Sequence, residues 1–314
     1  MFSRLPERIK YLFFEVMNDW QIGISVSSIQ SFLTNDEIPR IKWLAQPKDV
    51  IWADPFGIQR DDKYYIFYEE YHKVKEYATI NCMVLDANLE EIDRKVIIDE
   101  GTHSSFPLVF AYSGQYYMLP ETFAAGKLVL YIAANFPYEW KQHKVLLNIP
   151  CVDGIVFFRD SHWWLLYCKS TAKDGNSLFF IRKSVDLFGD WEQCPEHTFH
   201  NGPYNSRPAG EVFEHNKELY RVTQNCTDSY GQSIVINKII DLSDTGYKEE
   251  AVKEMAFNVP GVSGFHTLSS CGDLSLVDRR KERLFLRTPG KILESISNKL
   301  RGIKPPEDEI DESL

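Results

Sequence analysis

One pattern constrains this chain more than any other: a short apolar strand, a polar turn, and a second strand rich in aromatic or branched residues. The pattern recurs five times at intervals of roughly 50 residues, a spacing typical of propeller blades. Strand, polar turn and strand in this order form the signature of a β-hairpin. The five segments contain, in order, the stretches ADPFGIQ, SFPLVFA, VDGIVFF, RPAGEVF and HTLSSCG.

Further strand candidates follow the first four hairpins, in the stretches YATINCMVLD, KLVLYIAAN, SLFFIRKSVD and SIVINKIIDL. Helical periodicity is almost absent between residues 45 and 285. We therefore predict an all-β chain that forms a five-bladed β-propeller. The early strand WQIGISVSS is expected to close the ring or to join the last blade. The alternative is a different all-β sandwich whose hairpins are similar by accident.

Composition divides the chain into three predicted segments: an N-terminal extension (1–19), a propeller that would be the catalytic domain (20–286), and a C-terminal segment (287–314). The C-terminal segment offers a basic amphipathic helix over Lys291–Arg301, then an acidic tail that should be disordered. Such a helix either makes peripheral contact with a membrane or a partner, or simply caps the domain.

Charge and cysteine content exclude several function classes. The formal net charge of -10 and the pI near 5.4 argue against a nucleic-acid binder, which would show a basic footprint. The six cysteines are scattered without a CxxC pair, which disfavours a zinc site and is typical of thiols in a reducing compartment. Neither a secretion signal nor a membrane-spanning stretch is evident, so we expect a cytoplasmic protein, with the inner face of the membrane as the place of any peripheral contact.

Acidic residues recur at equivalent positions of the hairpins. Alignment of the units on their paired aromatic residues places Asp54 and Asp153 at the same position, where the second unit has Phe106. Glu69 and Glu121 align at the end of the second strand. Because the innermost strand of each blade lines the central channel, we expect these acids to converge on one axial pocket.

Other polar groups interrupt apolar strands near the blade starts, and each has an ordinary structural reading. A lone Asp before Pro is often a turn or cap residue, a lone His is usually a core group, and Arg207 could pair with Glu211. These polar groups occupy the same position within their repeats, which favours a shared site instead. Paired acids suit glycosyl chemistry, and a guanidinium binds phosphate, so an activated sugar donor is indicated.

The predicted site has two parts. The catalytic residues would be Asp54, Asp153 and Glu121. The substrate-binding residues would be Trp52, Glu70, His103, Ser105, Arg207, Glu211, Tyr230 and His266. The sequence names no metal ligands beyond a possible share for Asp153. The one cofactor considered is a Mg²⁺ ion that accompanies a diphosphate donor.

Ten segments, among them WADPF, HSSFPLVF, YMLPE, VDGIVFF, SRPAGEVF and GFHTL, occur in an order that resembles a known family. That family is the N-terminal domain of plant glucosamine inositolphosphorylceramide transferases with its bacterial relatives, and the resemblance covers about residues 20 to 280. WADPF also resembles the first blade of furanosidase-type glycosidases. The resemblance implies a five-bladed propeller that serves glycan assembly rather than degradation.

Residue by residue, the resemblance carries over only in part. Asp54 matches the first-blade acid of the glycosidases, which implies a base or nucleophile, and Glu121 is a candidate for the acid. The second-blade Asp of the glycosidase pattern falls at Phe106, while Asp153 lies in the third blade. Asn225 stands where an acid is expected in the relatives. The hydrolytic triad is therefore not reproduced in its usual blades.

The leading hypothesis is a glycosyltransferase of cell-surface polysaccharide biosynthesis. It would move a furanosyl or phosphoribosyl unit from a phosphate-activated donor to a glycan or lipid-linked glycan acceptor. Arg207, His103 and His266 would hold the donor phosphates. The alternatives are a glycoside hydrolase or phosphorylase of the furanosidase type, and a glycan-binding propeller without catalysis.

Overall fold

A computed structural model describes residues 14–171, 176–194, 201–243 and 246–286, and the single positions 290, 292, 293 and 297. Almost all of the predicted C-terminal helix and the whole acidic tail lie outside these residues, as does the predicted N-terminal extension up to residue 13. Within the part of the chain that the structure describes, no helix has the length and apolar character needed to cross a membrane.

The described residues form five antiparallel sheets arranged as the predicted five-bladed propeller. The first blade contains β3 (Val50–Arg60), β4 (Lys63–His72), β5 (Tyr77–Leu85) and β6 (Glu91–Ile98). The second contains β7 (Ser105–Tyr112), β8 (Gln115–Glu121), β9 (Leu128–Asn135) and β10 (Glu139–Leu147). The third contains β11 (Val152–Arg159), β12 (His162–Thr171), β13 (Asn176–Ser184) and β14 (Glu192–Gln193), with β15 (Asn201–Gly202) paired to β13.

The fourth blade contains β16 (Tyr204–His215), β17 (Glu218–Asn225), β18 (Ser233–Leu242) and β19 (Tyr247–Met255). The fifth blade is built from both ends of the described chain. Its strands are β20 (Leu268–Cys271), β21 (Leu274–Leu286), β1 (Phe14–Ser25) and β2 (Lys42–Trp43). β1 pairs with β21 without a break, from Phe14 opposite Leu286 to Ser25 opposite Ser275. The expectation that WQIGISVSS joins the last blade is thus confirmed.

The short helix α1 (Ile29–Thr34) links β1 to β2. Its two buried side chains, Ile29 and Phe32, pack into an apolar cluster shared with the fourth and fifth blades, which includes Phe213 and Phe265. Similar clusters fill the spaces between the other blades, and the largest joins the first three. Burial between neighbouring blades explains why the inner strands read as nearly continuous apolar runs.

The inner strands β3, β7, β11, β16 and β20 each contact the next around a closed ring. All five run in the same direction along the channel. We call the end at which they begin the upper end, and the end at which they finish the lower end. In four blades the inner strand starts with a break in register, and a residue there has a positive φ: Asp54 (49°), Phe106 (45°), Asp153 (51°) and Asn205 (68°).

These breaks are β-bulges, which bend a strand and re-aim its side chains. Asp and Asn tolerate the left-handed conformation better than most residues because their short polar side chains hydrogen-bond locally. The shared conformation places Asp54, Phe106 and Asp153 at equivalent positions, in agreement with the alignment of the hairpins. The bulges therefore gather the polar side chains at the upper end.

Candidate active site

Five carboxyl groups, one guanidinium, one imidazole and one phenol meet at the upper end of the channel. We call this group the axial cluster; its members are Asp54, Glu69, Glu121, Asp153, Arg207, Tyr230, His266 and Asp278. The five acids are buried, whereas Arg207 and Tyr230 are only partly buried. The two partly buried side chains form the edge at which a ligand would enter.

Asp278 organises one side of the cluster. Its Oδ1 accepts hydrogen bonds from the backbone N–H groups of His266 (3.1 Å) and Thr267 (3.0 Å), and its Oδ2 accepts one from the backbone N–H of Asp54 (3.2 Å). The same Oδ2 lies 2.6 Å from Nδ1 of His266. A proton on Nδ1 therefore points at Asp278, which turns the other ring nitrogen toward Asp54.

Asp54 is held between three neighbours. Its Oδ1 accepts a hydrogen bond from the Thr267 hydroxyl (2.8 Å) and lies 3.7 Å from Nε2 of His266, while its Oδ2 accepts one from the Phe106 N–H (3.3 Å). Burial raises the pKa of Asp54, and the attraction of His266 offsets this only in part. A carboxylate with a raised pKa is a better base than an exposed one.

His266 is stacked on Trp20, with ring centroids 3.7 Å apart and planes 10° apart, and Tyr230 meets its edge at 5.5 Å. Burial acts to lower the pKa of His266, but the carboxylates of Asp278 and Asp54 outweigh it and raise the pKa above its usual value. The imidazole is therefore rigid and disposed to carry a proton near neutral pH.

Asp153 and Arg207 form the other side of the cluster. Nε of Arg207 donates to Oδ2 of Asp153 at 2.6 Å, and the guanidinium lies over the ring of Tyr230, 5.1 Å from its centroid. Glu121 accepts the backbone N–H of Asp153 at 3.1 Å. Within the described residues, the two Nη groups of Arg207 have no hydrogen-bond partner, so both can bind a ligand.

Glu69 and Glu121 are the two acids most disposed to hold a proton. Burial, and then the carboxyl groups of Asp54 and Glu121, raises the pKa of Glu69 well above its usual range. Burial and Asp153 do the same for the pKa of Glu121, although Arg207 opposes them. Glu69 also lies beside His103, with Oε1 and Nε2 3.5 Å apart, and His103 is more exposed than the acid.

The three side chains of Asp54, His266 and Asp278 bring possible metal ligands within 4.8 Å of one another. The contact between His266 and Asp278 is a hydrogen bond of 2.6 Å, and the remaining oxygens accept N–H or O–H groups. These partners suit a hydrogen-bonded chain rather than an oxygen cage for Mg²⁺.

Three predicted substrate-binding residues lie away from the axial cluster. Trp52 is fully buried and donates from Nε1 to Glu70 (2.7 Å), so this pair belongs to the core between the first and fifth blades. Successive residues of a strand face opposite sides, and it is Glu69 that faces the axis. Glu211 lies at the lower end, where it accepts the N–H of Ser270 (2.6 Å) and makes no ion pair with Arg207.

The other predicted residues lie in or beside the cluster. Ser105 is buried directly across from Glu121 in the β7–β8 ladder, and His103 contacts Glu69. Asn225, which stands where an acid was expected, donates to Glu254 on β19 (2.8 Å) instead of facing the axis.

Sequence reasoning missed Trp20, Asp278 and Arg280 and left Glu69 without a role. Arg280 clamps the loop that carries Tyr230, because it donates to the carbonyl of Tyr230 (2.6 Å) and to the hydroxyl of Ser229 (2.8 Å). For Asp278 and Arg280, the one available signal in the sequence was the charged end of the fifth hairpin, in the stretch LVDRR.

A family model described as "Glucosamine inositolphosphorylceramide transferase 1, N-terminal" matches residues 41–260. The glucosamine inositolphosphorylceramide transferase 1 of Arabidopsis thaliana is 32% identical over 257 residues, which are 80% of this chain and 32% of that protein. Its counterpart in Oryza sativa subsp. indica is 30% identical over 212 residues, or 64% of this chain and 28% of that protein. The chain thus spans about a third of the length of these relatives.

Solved structures support the fold. A family 117 glycoside hydrolase from Zobellia galactanivorans superposes with a TM-score of 0.53 at 10% identity, over 85% of this chain and 91% of that one. A β-xylosidase/α-arabinofuranosidase from a compost metagenome gives 0.50 at 12% identity, over 74% and 83%. The sequence match and the five blades agree, and the chain belongs to the family of glucosamine inositolphosphorylceramide transferase 1 N-terminal domains.

Proposed function

We propose that the axial cluster transfers a glycosyl unit from a phosphate-activated donor to a hydroxyl group of a glycan or lipid-linked glycan. The observation that carries the proposal is the juxtaposition of buried acids with a guanidinium whose two Nη groups lack hydrogen-bond partners among the described residues. Hydrolysis alone does not need that cation, whereas a donor phosphate does. The name of the curated relatives is consistent with this reaction class.

In the proposed reaction, Asp54 accepts the proton of the acceptor hydroxyl as the new glycosidic bond forms. His266, fixed by Asp278, stabilises the ionised form of Asp54 before the reaction and is 3.7 Å from it. The bond between the anomeric carbon and the phosphate oxygen breaks, and Arg207 stabilises the departing phosphate. Asp153 fixes the orientation of Arg207 through their ion pair.

Charge balance supports a role for magnesium. The cluster contains five carboxyl groups, and even with Glu69 and Glu121 protonated the remaining three carboxylates outnumber the two cations, Arg207 and protonated His266. A diphosphate would be repelled by this excess unless a cation accompanied it. We therefore expect donor binding to require Mg²⁺.

Two kinds of sugar are candidates for the transferred unit. A furanosyl or phosphoribosyl unit is what the resemblance of WADPF to the furanosidase-type glycosidases implies, and glucosamine occurs in the name of the relatives. Transfer to a surface polysaccharide, a cytoplasmic location and membrane contact through the C-terminal segment stay predictions.

The test is a thermal-shift and turnover screen of the full chain. Nucleotide sugars, phosphoribosyl pyrophosphate and aryl furanosides are tested with and without Mg²⁺. Arg207→Lys keeps the charge beside Asp153 but removes the forked Nη groups, so it should abolish the shift by phosphate-bearing donors. Arg60→Lys is the matched control, because Arg60 also pairs with an Asp through Nε (3.0 Å) but is exposed at the lower end.

A donor shift that survives in Arg207→Lys would contradict the assigned role of the guanidinium. Free sugar released from aryl furanosides without phosphate would select the hydrolase.

A second candidate is a glycan-binding module without catalysis. It is favoured by one observation, that both carboxylate oxygens of Asp54 already accept hydrogen bonds, from the Thr267 hydroxyl and the Phe106 N–H. Binding of glycans without turnover of any donor would select it.

A further inference from the structure

The lower end of the channel holds a cavity that the axial cluster does not use. Its volume of about 470 Å³ lies in the range typical of sites for small molecules. All five inner strands contribute to its wall, together with one residue of β12. Among the lining residues are Phe56, Phe110, Phe157, Trp163, Glu211 and Ser270.

One wall of the cavity is aromatic. Phe110, Tyr112 and Phe158 surround Trp163, with ring centroids 6.1, 4.9 and 5.5 Å from the indole. Phe158 is 57% exposed, so this wall keeps a large apolar side chain in contact with water. Rings in this arrangement offer both faces and edges to a flat apolar ligand.

Glu211 is the one carboxylic acid among the residues that line the cavity. Its Oε1 accepts the N–H of Ser270 at 2.6 Å, whereas its Oε2 is buried without a hydrogen-bond partner among the described residues. Leaving a buried polar atom unpaired is costly, and a ligand that donates a hydrogen bond would remove that cost. Burial also raises the pKa of Glu211, although the hydrogen bond from Ser270 opposes it.

The charges of the residues that line the cavity determine whether it can bind a cation or an anion. No lysine, arginine or histidine is among the described residues that line the cavity, so an anion would find no partner there. A protonated amine would pair with the Glu211 carboxylate and could also lie over an aromatic face.

We propose that the lower cavity binds a small molecule with a protonated amine on an aromatic body. The amine pairs with Glu211, and the ring packs against the wall around Trp163. The site is independent of glycosyl transfer, because it lies at the opposite end of the inner strands and shares no residue with the axial cluster.

The experiment measures binding of 2-phenylethylamine to the full chain by isothermal titration, with 2-phenylethanol as the matched neutral probe. The amine is expected to bind at least about tenfold more tightly than the alcohol, because a charge-assisted hydrogen bond replaces a neutral one. This preference should disappear in Glu211→Gln. It should also grow as the pH rises through the pKa of Glu211, since only the ionised carboxyl group attracts the amine.

A second variant keeps the test decisive if Glu211→Gln folds poorly. Ala111 lines the cavity and is exposed, so Ala111→Trp should fill the site and abolish binding. Ala134→Trp, at an exposed position of β9 outside the cavity wall, is the control that should bind normally. No saturable binding to the native chain, an unchanged preference in Glu211→Gln, or binding that persists in Ala111→Trp would each overturn the proposal.

Discussion

The same five inner strands build two different ends of one channel. At the upper end, bulges at Asp54, Phe106, Asp153 and Asn205 interrupt the ladders, and polar side chains of different blades meet. Toward the lower end the ladder of the first blade is regular, from Phe56 opposite Phe67 to the turn, and the channel wall is mainly apolar. The difference shows that local backbone irregularity, rather than a change of fold, creates the charged site.

The largest expected effect tests whether the upper end does chemistry. Asp54→Asn keeps the size of the side chain and can still accept the Thr267 hydroxyl, but it cannot take a proton. Transfer should fall by about 10²–10⁴-fold, the usual contribution of a general base. The rate is measured with the donor identified in the screen, and Glu211→Gln at the lower end is the control with normal turnover. Unchanged turnover in Asp54→Asn would rule out its role as base.

The second effect concerns stability at the upper end. Arg207→Ala leaves the buried carboxylate of Asp153 without its ion-pair partner. Removal of one member of a buried pair should lower the free energy of unfolding by about 3 kcal/mol. Arg60→Ala, which breaks an exposed pair at the lower end, should change it by less than about 1 kcal/mol. Urea denaturation measures both; equal losses would mean that the Asp153 pair is not desolvated.

The third effect concerns packing at the lower end. A Cβ added to Gly57 would lie 2.5 Å from Cβ and Sγ of Cys271 in the neighbouring inner strand. Gly57→Ala should therefore lower the free energy of unfolding by about 1–3 kcal/mol, the usual cost of overpacking. At Gly154 the nearest atom to an added Cβ is a flexible Leu128 carbon at 3.3 Å, so Gly154→Ala should cost less. Thermal unfolding of the two variants compares them, and an equal or reversed order would contradict the prediction.

The smallest effect depends on pH. The pKa of Glu121 is raised well above 4.5 in the folded chain, so above that pH the unfolded chain releases a proton that the folded chain still holds. The stability that Glu121 contributes is complete below the unfolded pKa and is lost as the pH rises through the folded pKa. Glu121→Gln avoids this loss and should gain about 1 kcal/mol near neutral pH, and little near pH 4.

Glu211→Gln at the lower end should give a gain of the same sign, because burial also raises the pKa of Glu211. Denaturation at both pH values compares the two ends. A destabilised Glu121→Gln near neutral pH would show that this carboxyl group is ionised in the folded protein.

Much of the fold could be predicted because each blade repeats a local signal. Hairpin alternation and turn residues are properties of neighbouring positions, and the equivalence of Asp54 and Asp153 follows from aligning them. It was harder to predict which residues of a strand face the channel. Trp52 opposite Glu70 and Ala53 opposite Glu69 form two ladder pairs that face opposite sides. The bulge that follows removes the simple period-two rule that would identify the inward pair.

The rest of the site depends on contacts between distant segments. Trp20 lies in the strand that closes the ring, and no local feature links it to His266. Asp278 belongs to the weakest of the five hairpin matches. For Glu211, two breaks in the register of β16 shift the residue along the channel, so its height could not be counted from Arg207. Such positions are set by tertiary structure rather than by sequence pattern.

The closure of the ring by β1 and β21 has a consequence for how the protein is made. The hydrogen bond from Asp54 to Asp278 joins residues 224 positions apart, and Trp20 reaches His266 only when β1 has entered the last blade. During synthesis on the ribosome, the early blades can assemble while Asp54 still lacks its contacts with His266 and Asp278. The axial cluster is complete only after the fifth blade has emerged. A nascent chain that stalls before that point would contain the acids of the first three blades without His266.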